Sequence, residues 1–185
     1  ALRKALMGLD ELHMYDLYTP MVKDFHMELS YDKAFDLVLE GLKPMGEDYL
    51  AKLREARVGG WIDVYPSKGK SSGAFSSGNL RDVHPYVLLN HKNNLDCQFT
   101  LAHEMGHALH SYHSCKYQPV STSDYVIFVA EVASTCNEVL LMRHLLIDLR
   151  YNGQFRSKHD VVLPDGRQLD KLRTYNVALS FGYLF

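Results

Sequence analysis

The 185-residue sequence has no long hydrophobic run: a stretch such as Val126 to Ala130 falls far short of the roughly 20 apolar residues that cross a bilayer. It also lacks the basic-then-apolar opening of a secretory signal. Neither a membrane protein nor a membrane partner is expected. Charge of one sign is missing too. The 20 Lys and Arg stand interspersed with 22 Asp and Glu, for a formal net charge of −2, so no basic field exists to attract nucleic acid or acidic lipid. Cysteine is scarce: Cys97, Cys115 and Cys136 are odd in number and form no CxxC pair. That argues against a disulfide scaffold and a paired-thiolate zinc framework, and favours a reducing, cytoplasmic setting. No internal repeat, low-complexity tract or interdomain linker breaks the chain.

What is present is a globular composition, 46% hydrophobic and 23% charged, suited to a single domain over residues 1–185. The chain starts at Ala1 without an initiator Met and stops on the apolar run Ser180 to Phe185, which points to a piece of a longer chain. Helix formers dominate Ala1 to Leu12, and Ser30 precedes an apolar stripe of Ala34, Phe35, Leu37, Val38 and Leu42. Three helices are expected within residues 1–57, with an irregular connection at Pro20 between the first two. Gly59 and Gly60 end that pattern. Trp61 to Tyr65 and Val83 to Asn90 then read as strands on either side of a polar loop. Pro85 cannot donate to a ladder, which assigns the second strand to a sheet edge where an extended peptide can pair. Helical spacing returns from Phe99 to Ser114 and from Asp124 to Leu149. Beyond Tyr151 the pattern weakens, with one hairpin expected at Pro164-Asp165-Gly166.

The densest chemistry lies in His103-Glu104-Met105-Gly106-His107, an HExxH. On a helix, two histidines four apart stack on one face, so both imidazoles can reach one zinc at about 2.0–2.1 Å. Glu104 sits about 100° around the axis from His103, near enough to touch water at the metal without ligating it. Ala102, Ala108 and Leu109 make the helix half apolar, which places the histidines toward the interior, where a metal offsets their desolvation. Two routes lead to a third ligand. His113 stands six residues past His107, as in the extended HExxHxxGxxH pattern, but the turning glycine of that pattern is here His110. The other route makes Glu131 on the next helix the ligand and Glu138, seven residues on and nearly aligned amid small and apolar residues, an acid that receives a ring N–H from a ligating histidine. An ordinary ion pair with Lys116, Arg143 or His144 would also explain such acids.

"TLAHEMGHALHSYHS" followed by "YVIFVAEVASTCNEVLL" resembles the active-site signature of oligoendopeptidase F, within the thimet-type zinc oligopeptidases. "GLDELHMYDLYTP", "LKPMGEDYL", "WIDVYPSKGKSSGAFSSG" and "HPYVLLNHKNNLDCQFTLAHE" resemble stretches of that family in the same order, so that the resemblance covers about residues 1–146. It implies that His103, His107 and Glu131 bind one Zn2+ per chain, with Glu104 as the base and Glu138 supporting a ligating histidine. It also implies that Gly73, Ala74 and Phe75, with the strand carrying His84 and Tyr86, border a cleft for an extended peptide. The implied fold is mainly α (α+β): a zincin-like helical catalytic domain with a small antiparallel sheet beside the HExxH helix. Members of the family are several times longer. Their N-terminal half walls a channel, and their C-terminal segment brings a histidine and tyrosines to the substrate. Residues 147–185 do not resemble that segment, and Tyr175 and Tyr183 are the conceivable replacements for its tyrosines.

The expected activity is therefore hydrolysis of short peptides by metal-activated water, with Glu104 as general base. Two alternatives remain open at this point: a zinc-binding chain with little or no turnover, and a metal-free helix pair. The oligomeric state is left open.

Overall fold

The computed structural model describes residues 4, 7–18, 27–78 and 80–152. Residues 1–3, 5 and 6 of the helix expected over residues 1–12, the connection at Pro20, the hairpin at Pro164, and Tyr175 and Tyr183 lie outside the described residues, and residues 8–12 are described as turn and irregular chain, not helix. Residues 27–145 form one compact unit, and residues 1–26 with 146–185 a second. In the second, a 3-10 helix spans Met14–Tyr18, and the His13 N–H donates to the Asp16 carboxylate at 2.8 Å.

The larger unit begins with two amphipathic helices. In α1 (Tyr31–Gly41), Tyr31, Ala34, Phe35 and Val38 recur at helical spacing and are buried. Ser30 occupies the N-cap position of α1, but its side chain makes no capping hydrogen bond. In α2 (Glu47–Val58), Leu50, Leu53 and Ala56 do the same. Arg57 of α2 reaches Asp32 and Asp36 of α1 at 2.8 and 2.7 Å, and its guanidinium lies over Phe35.

Three short strands follow: β1 (Ile62–Asp63), β2 (Phe75–Ser77) and β3 (Tyr86–Leu88), in the order β1-β3-β2. The sheet is mixed, not antiparallel throughout. β1 pairs parallel to β3 because a long connection carries the chain across before β3 begins, and β2 pairs antiparallel on the other side of β3. The expectation that Val83 to Asn90 forms an edge strand is likewise corrected. Pro85 stands just before β3, so it removes no ladder bond, and the Val87 and Leu89 N–H groups donate to Trp61 and Asp63 carbonyls at 2.8 Å. The edge on the other side of β3 belongs to β2. Gly73, at φ +85, turns the chain into it.

Two long helices complete the unit. Asn94 caps α3 (Leu95–Tyr117), its side chain accepting from the Cys97 N–H at 2.9 Å. α3 is buried over most of its girth, which fits a central helix: Leu101, Ala102, Met105, Ala108 and Leu109 are fully enclosed. α4 (Ile127–Asn152) turns inward the stripe Ala130, Ser134, Asn137, Leu141 and Leu145, two of whose members are polar. No helix among the described residues is long and apolar enough to cross a membrane.

Candidate metal centre

Where α3 meets α4 the helices touch through their backbones. Gly106 has no side chain, and a Cβ placed there would lie 2.7 Å from Ser134 Cα and 2.9 Å from the Ala133 carbonyl oxygen. Only glycine permits that approach. On the far flank of α3, β2 ends at Gly78, where an added Cβ would meet Ser111 Cβ at 2.7 Å and whose carbonyl accepts from the Cys115 thiol at 3.6 Å. Glu104 lies on the same strip of α3 as Ser111 and Cys115, at spacings of 7 and 11 residues. The α4 flank and the β2 flank are thus opposite sides of α3. His103 and His107, about 100° and 60° from Glu104, lie between them.

In that interval three potential ligand atoms converge. His103 Nε2 and His107 Nε2 are 3.1 Å apart, and Glu131 Oε2 lies 3.4 Å from the first and 3.7 Å from the second. His103, His107 and Glu131 are the one group of potential metal ligands found among the described residues. A tetrahedral zinc about 2.0–2.1 Å from each ligand would separate them by about 3.3–3.4 Å. The donor set fits.

The surroundings fit as well. Glu138 lies 2.5 Å from His103 Nδ1, so that nitrogen carries the proton and Nε2 keeps its lone pair facing His107 and Glu131. That bond also raises the basicity of His103, whereas burial lowers that of His107 and the neighbouring His103 adds to the lowering. Ser134 Oγ donates to Glu131 Oε2 at 2.8 Å and steadies the carboxylate. Glu104 is 7% exposed, and its Oε2 is buried without a hydrogen-bond partner. Burial pushes its carboxyl up to about 7 from the ordinary 4.5, partly countered by His103. An orphaned buried acid next to a cluster of nitrogen and oxygen donors is a group waiting for a proton or a partner.

His113, the other route to a third ligand, is carried away because α3 continues to Tyr117; its ring stacks on Tyr117 at 5.9 Å and meets Tyr112 edge-on. One turn past His107, Tyr125 stacks on His110 at 4.1 Å, with its hydroxyl 2.5 Å from Ser111 Oγ, which pins the segment entering α4 to α3. Gly73, Ala74 and Phe75 lead into the edge strand on the Glu104 side. Tyr86 does not offer a free backbone, because its strand is paired on both sides, and His84, just before that strand, stacks its ring on Trp61 at 5.2 Å and contacts Tyr86. Sequence reading missed Gly106 and Ser134, whose only signal was the presence of small residues on both facing helices.

Two adjacent helices presenting two imidazoles, a carboxylate and a buried acid define the donor arrangement of an HExxH-plus-Glu metal protein. Comparison with known proteins makes the assignment specific. The model of Peptidase family M3 matches residues 1–176, and the chain belongs to that family. The match runs past residue 146, where the resembling motifs end, so that residues 147–176 belong to the family's sequence pattern as well. Oligopeptidase PepF of Bacillus subtilis (strain 168) is 52% identical over 154 residues, covering 83% of this chain and 23% of that protein. Group B oligopeptidase PepB of Streptococcus agalactiae is 44% identical over 149 residues, covering 80% and 24%. A solved structure from Chlamydophila abortus superposes with a TM-score of 0.68 at 40% identity, over 80% of this chain and 24% of that one. The chain thus spans about a quarter of the length of these relatives.

Proposed function

We propose that this chain is the catalytic region of a zinc metallopeptidase that hydrolyses short peptides. The observation that carries the reading is the convergence of His103, His107 and Glu131 within one interval between α3 and α4, beside the buried acid Glu104. The names of the relatives, oligopeptidases, supply the substrate class. His103, His107 and Glu131 would hold the zinc, whose Lewis acidity polarises a peptide carbonyl and sharpens the acidity of water. Glu138 fixes the His103 ring, and Ser134 fixes the Glu131 carboxylate.

Glu104 takes the proton of the attacking water as the carbon–oxygen bond forms, then delivers it to the departing amine nitrogen as the carbon–nitrogen bond breaks. Its carboxyl, near 7 when no cation is close, is poised for both directions; positive charge between the two histidines and Glu131 draws it down toward the ionised form. A substrate lying between the edge of β2 and α4 would run past Gly73 to Phe75 in extended form, adding a strand to β2. The free thiols of Cys97, Cys115 and Cys136 suit a reducing, cytoplasmic compartment.

A second reading is zinc binding with little turnover by these 185 residues taken alone. One experiment separates the two. The purified chain is assayed for zinc content and for cleavage of a quenched fluorescent peptide, with and without chelator and with Glu104→Gln. Zinc-dependent cleavage that Glu104→Gln abolishes supports the peptidase. Zinc binding with equal, near-background cleavage in both chains supports the second reading.

A further inference from the structure

Asn137 is fully buried on α4, one residue before Glu138. A buried amide requires partners, and this one has three contacts. Its Nδ2 donates to the Ala102 carbonyl at 3.0 Å and to the Tyr49 hydroxyl at 2.9 Å, and its Oδ1 accepts from the same hydroxyl at 3.0 Å. Ala102 immediately precedes His103, so the carbonyl gripped by Asn137 belongs to the peptide unit that leads into the first histidine. The next residue, Glu138, grips the ring of that histidine. Adjacent positions of α4 therefore hold the main chain and the side chain of one point on α3.

The crossing of the helices explains why such a lock is needed. At Gly106 and Ser134 the backbones touch without interposed side chains. Ridges and grooves are shallow there, so apolar packing does little to stop α4 sliding along α3 or turning about its axis. Yet Glu131 stands six residues before Asn137, and its carboxylate must lie within ligand distance of both imidazoles. A polar clamp with fixed directions sets a register that small residues leave free. The Ala102 carbonyl can only accept, so Nδ2 must face it, and Tyr49, from α2, holds the other side of the amide through both Oδ1 and Nδ2. Burial pushes the Tyr49 phenol up to about 12, so it remains a donor throughout the neutral range.

We infer that Tyr49 and Asn137 are positioning residues of the metal centre, locking α4 to the peptide unit before His103 in the register that brings Glu131 to His103 and His107. The inference rests on the reading of these three as zinc ligands. It concerns no contact with substrate.

The test uses the full 185-residue chain. Zinc affinity is read by competition with a chromophoric chelator, alongside the visible spectrum of the cobalt(II)-substituted protein and the thermal midpoint. Asn137→Leu is expected to weaken zinc about 10–100-fold and to change the cobalt spectrum. Tyr49→Phe keeps the ring, removes only the hydroxyl, and is expected to move both readouts the same way by a smaller factor. Val38→Ala, a truncation in the α1 core, lowers the thermal midpoint while leaving both readouts unchanged. Wild-type zinc affinity and cobalt spectrum in the two clamp variants, with only the midpoint lowered, would overturn the inference. Should Asn137→Leu fail to fold, Tyr49→Phe decides by the same two readouts. If the wild-type chain binds no zinc, the fault lies with the metal-centre reading itself.

Discussion

Gly106→Ala probes how the two helices form the site. The new methyl would stand 2.7 Å from Ser134 Cα, 2.9 Å from the Ala133 oxygen and 3.0 Å from Ser134 N. All three are backbone atoms, which cannot swing aside as a side chain can. Carbon contacts settle near about 3.5–4.0 Å, so α4 must retreat from α3 by about 1 Å. Overpacking of this kind costs about 1–3 kcal/mol, and the better helix propensity of alanine offsets about 1 kcal/mol of it. The net loss of about 0–2 kcal/mol lowers the melting temperature by only a few degrees. The ligands are less forgiving: a site of this kind tolerates displacements of about 0.5 Å, so the same retreat should weaken zinc by at least about tenfold. Chelator competition measures the affinity, and thermal unfolding followed by circular dichroism measures the stability. A folded Gly106→Ala chain that binds zinc like the wild type would show that the backbone contact does not set the distance of Glu131 from the histidines.

Glu104→Gln keeps the shape of the side chain and removes the proton acceptor; peptide turnover should fall by about 10²–10⁴-fold while zinc content stays at the wild-type level, as metal analysis and steady-state kinetics would show. In the metal-free chain the Glu104 carboxyl stands near 7 when folded against an ordinary 4.5. Between those values the folded state holds a proton that the unfolded state has released, so stability falls as pH rises through that window. Glu104→Gln should therefore stabilise the metal-free chain by about 1–3 kcal/mol at pH 8 and hardly at all at pH 4, and equal urea midpoint shifts at both pH values would refute the assignment. Ser134→Ala removes the hydroxyl that holds Glu131 Oε2, and chelator competition should register a weakening of zinc of about tenfold. Phe35→Ala, in the fully buried part of α1, should cost about 3–5 kcal/mol in urea unfolding.

The proposed ligands were legible in the sequence because helical spacing is a local rule: His103 and His107 must share a face, and Glu131 and Glu138 must nearly align. Spacing alone left the choice between His113 and a glutamate open, since it does not say where a helix stops. In the structure α3 continues to Tyr117 and carries His113 away, while Glu131 Oε2 lies 3.4 and 3.7 Å from the two imidazole nitrogens. The helix limits were approximate for the same local reason: α3 opens at Leu95, where Asn94 caps it, and α4 opens at Ile127. The neighbour of a strand is not a local property. Pro85 was read as marking an edge, yet it ends one residue short of a central strand, and β2, with its serines, carried no alternating apolar signal. Partners 88 residues apart, Tyr49 and Asn137, were invisible for the same reason, as was the need for glycine at position 106.

One ion held by side chains of two helices is the centre of the proposed function. Crystals of the zinc-loaded chain, measured on both sides of the zinc absorption edge, test it most directly. A single strong anomalous peak is expected between α3 and α4, about 2.0–2.2 Å from His103 Nε2, His107 Nε2 and a Glu131 oxygen. A zinc bound elsewhere, or bound to the histidines with the Glu131 carboxylate turned away from it, would contradict it.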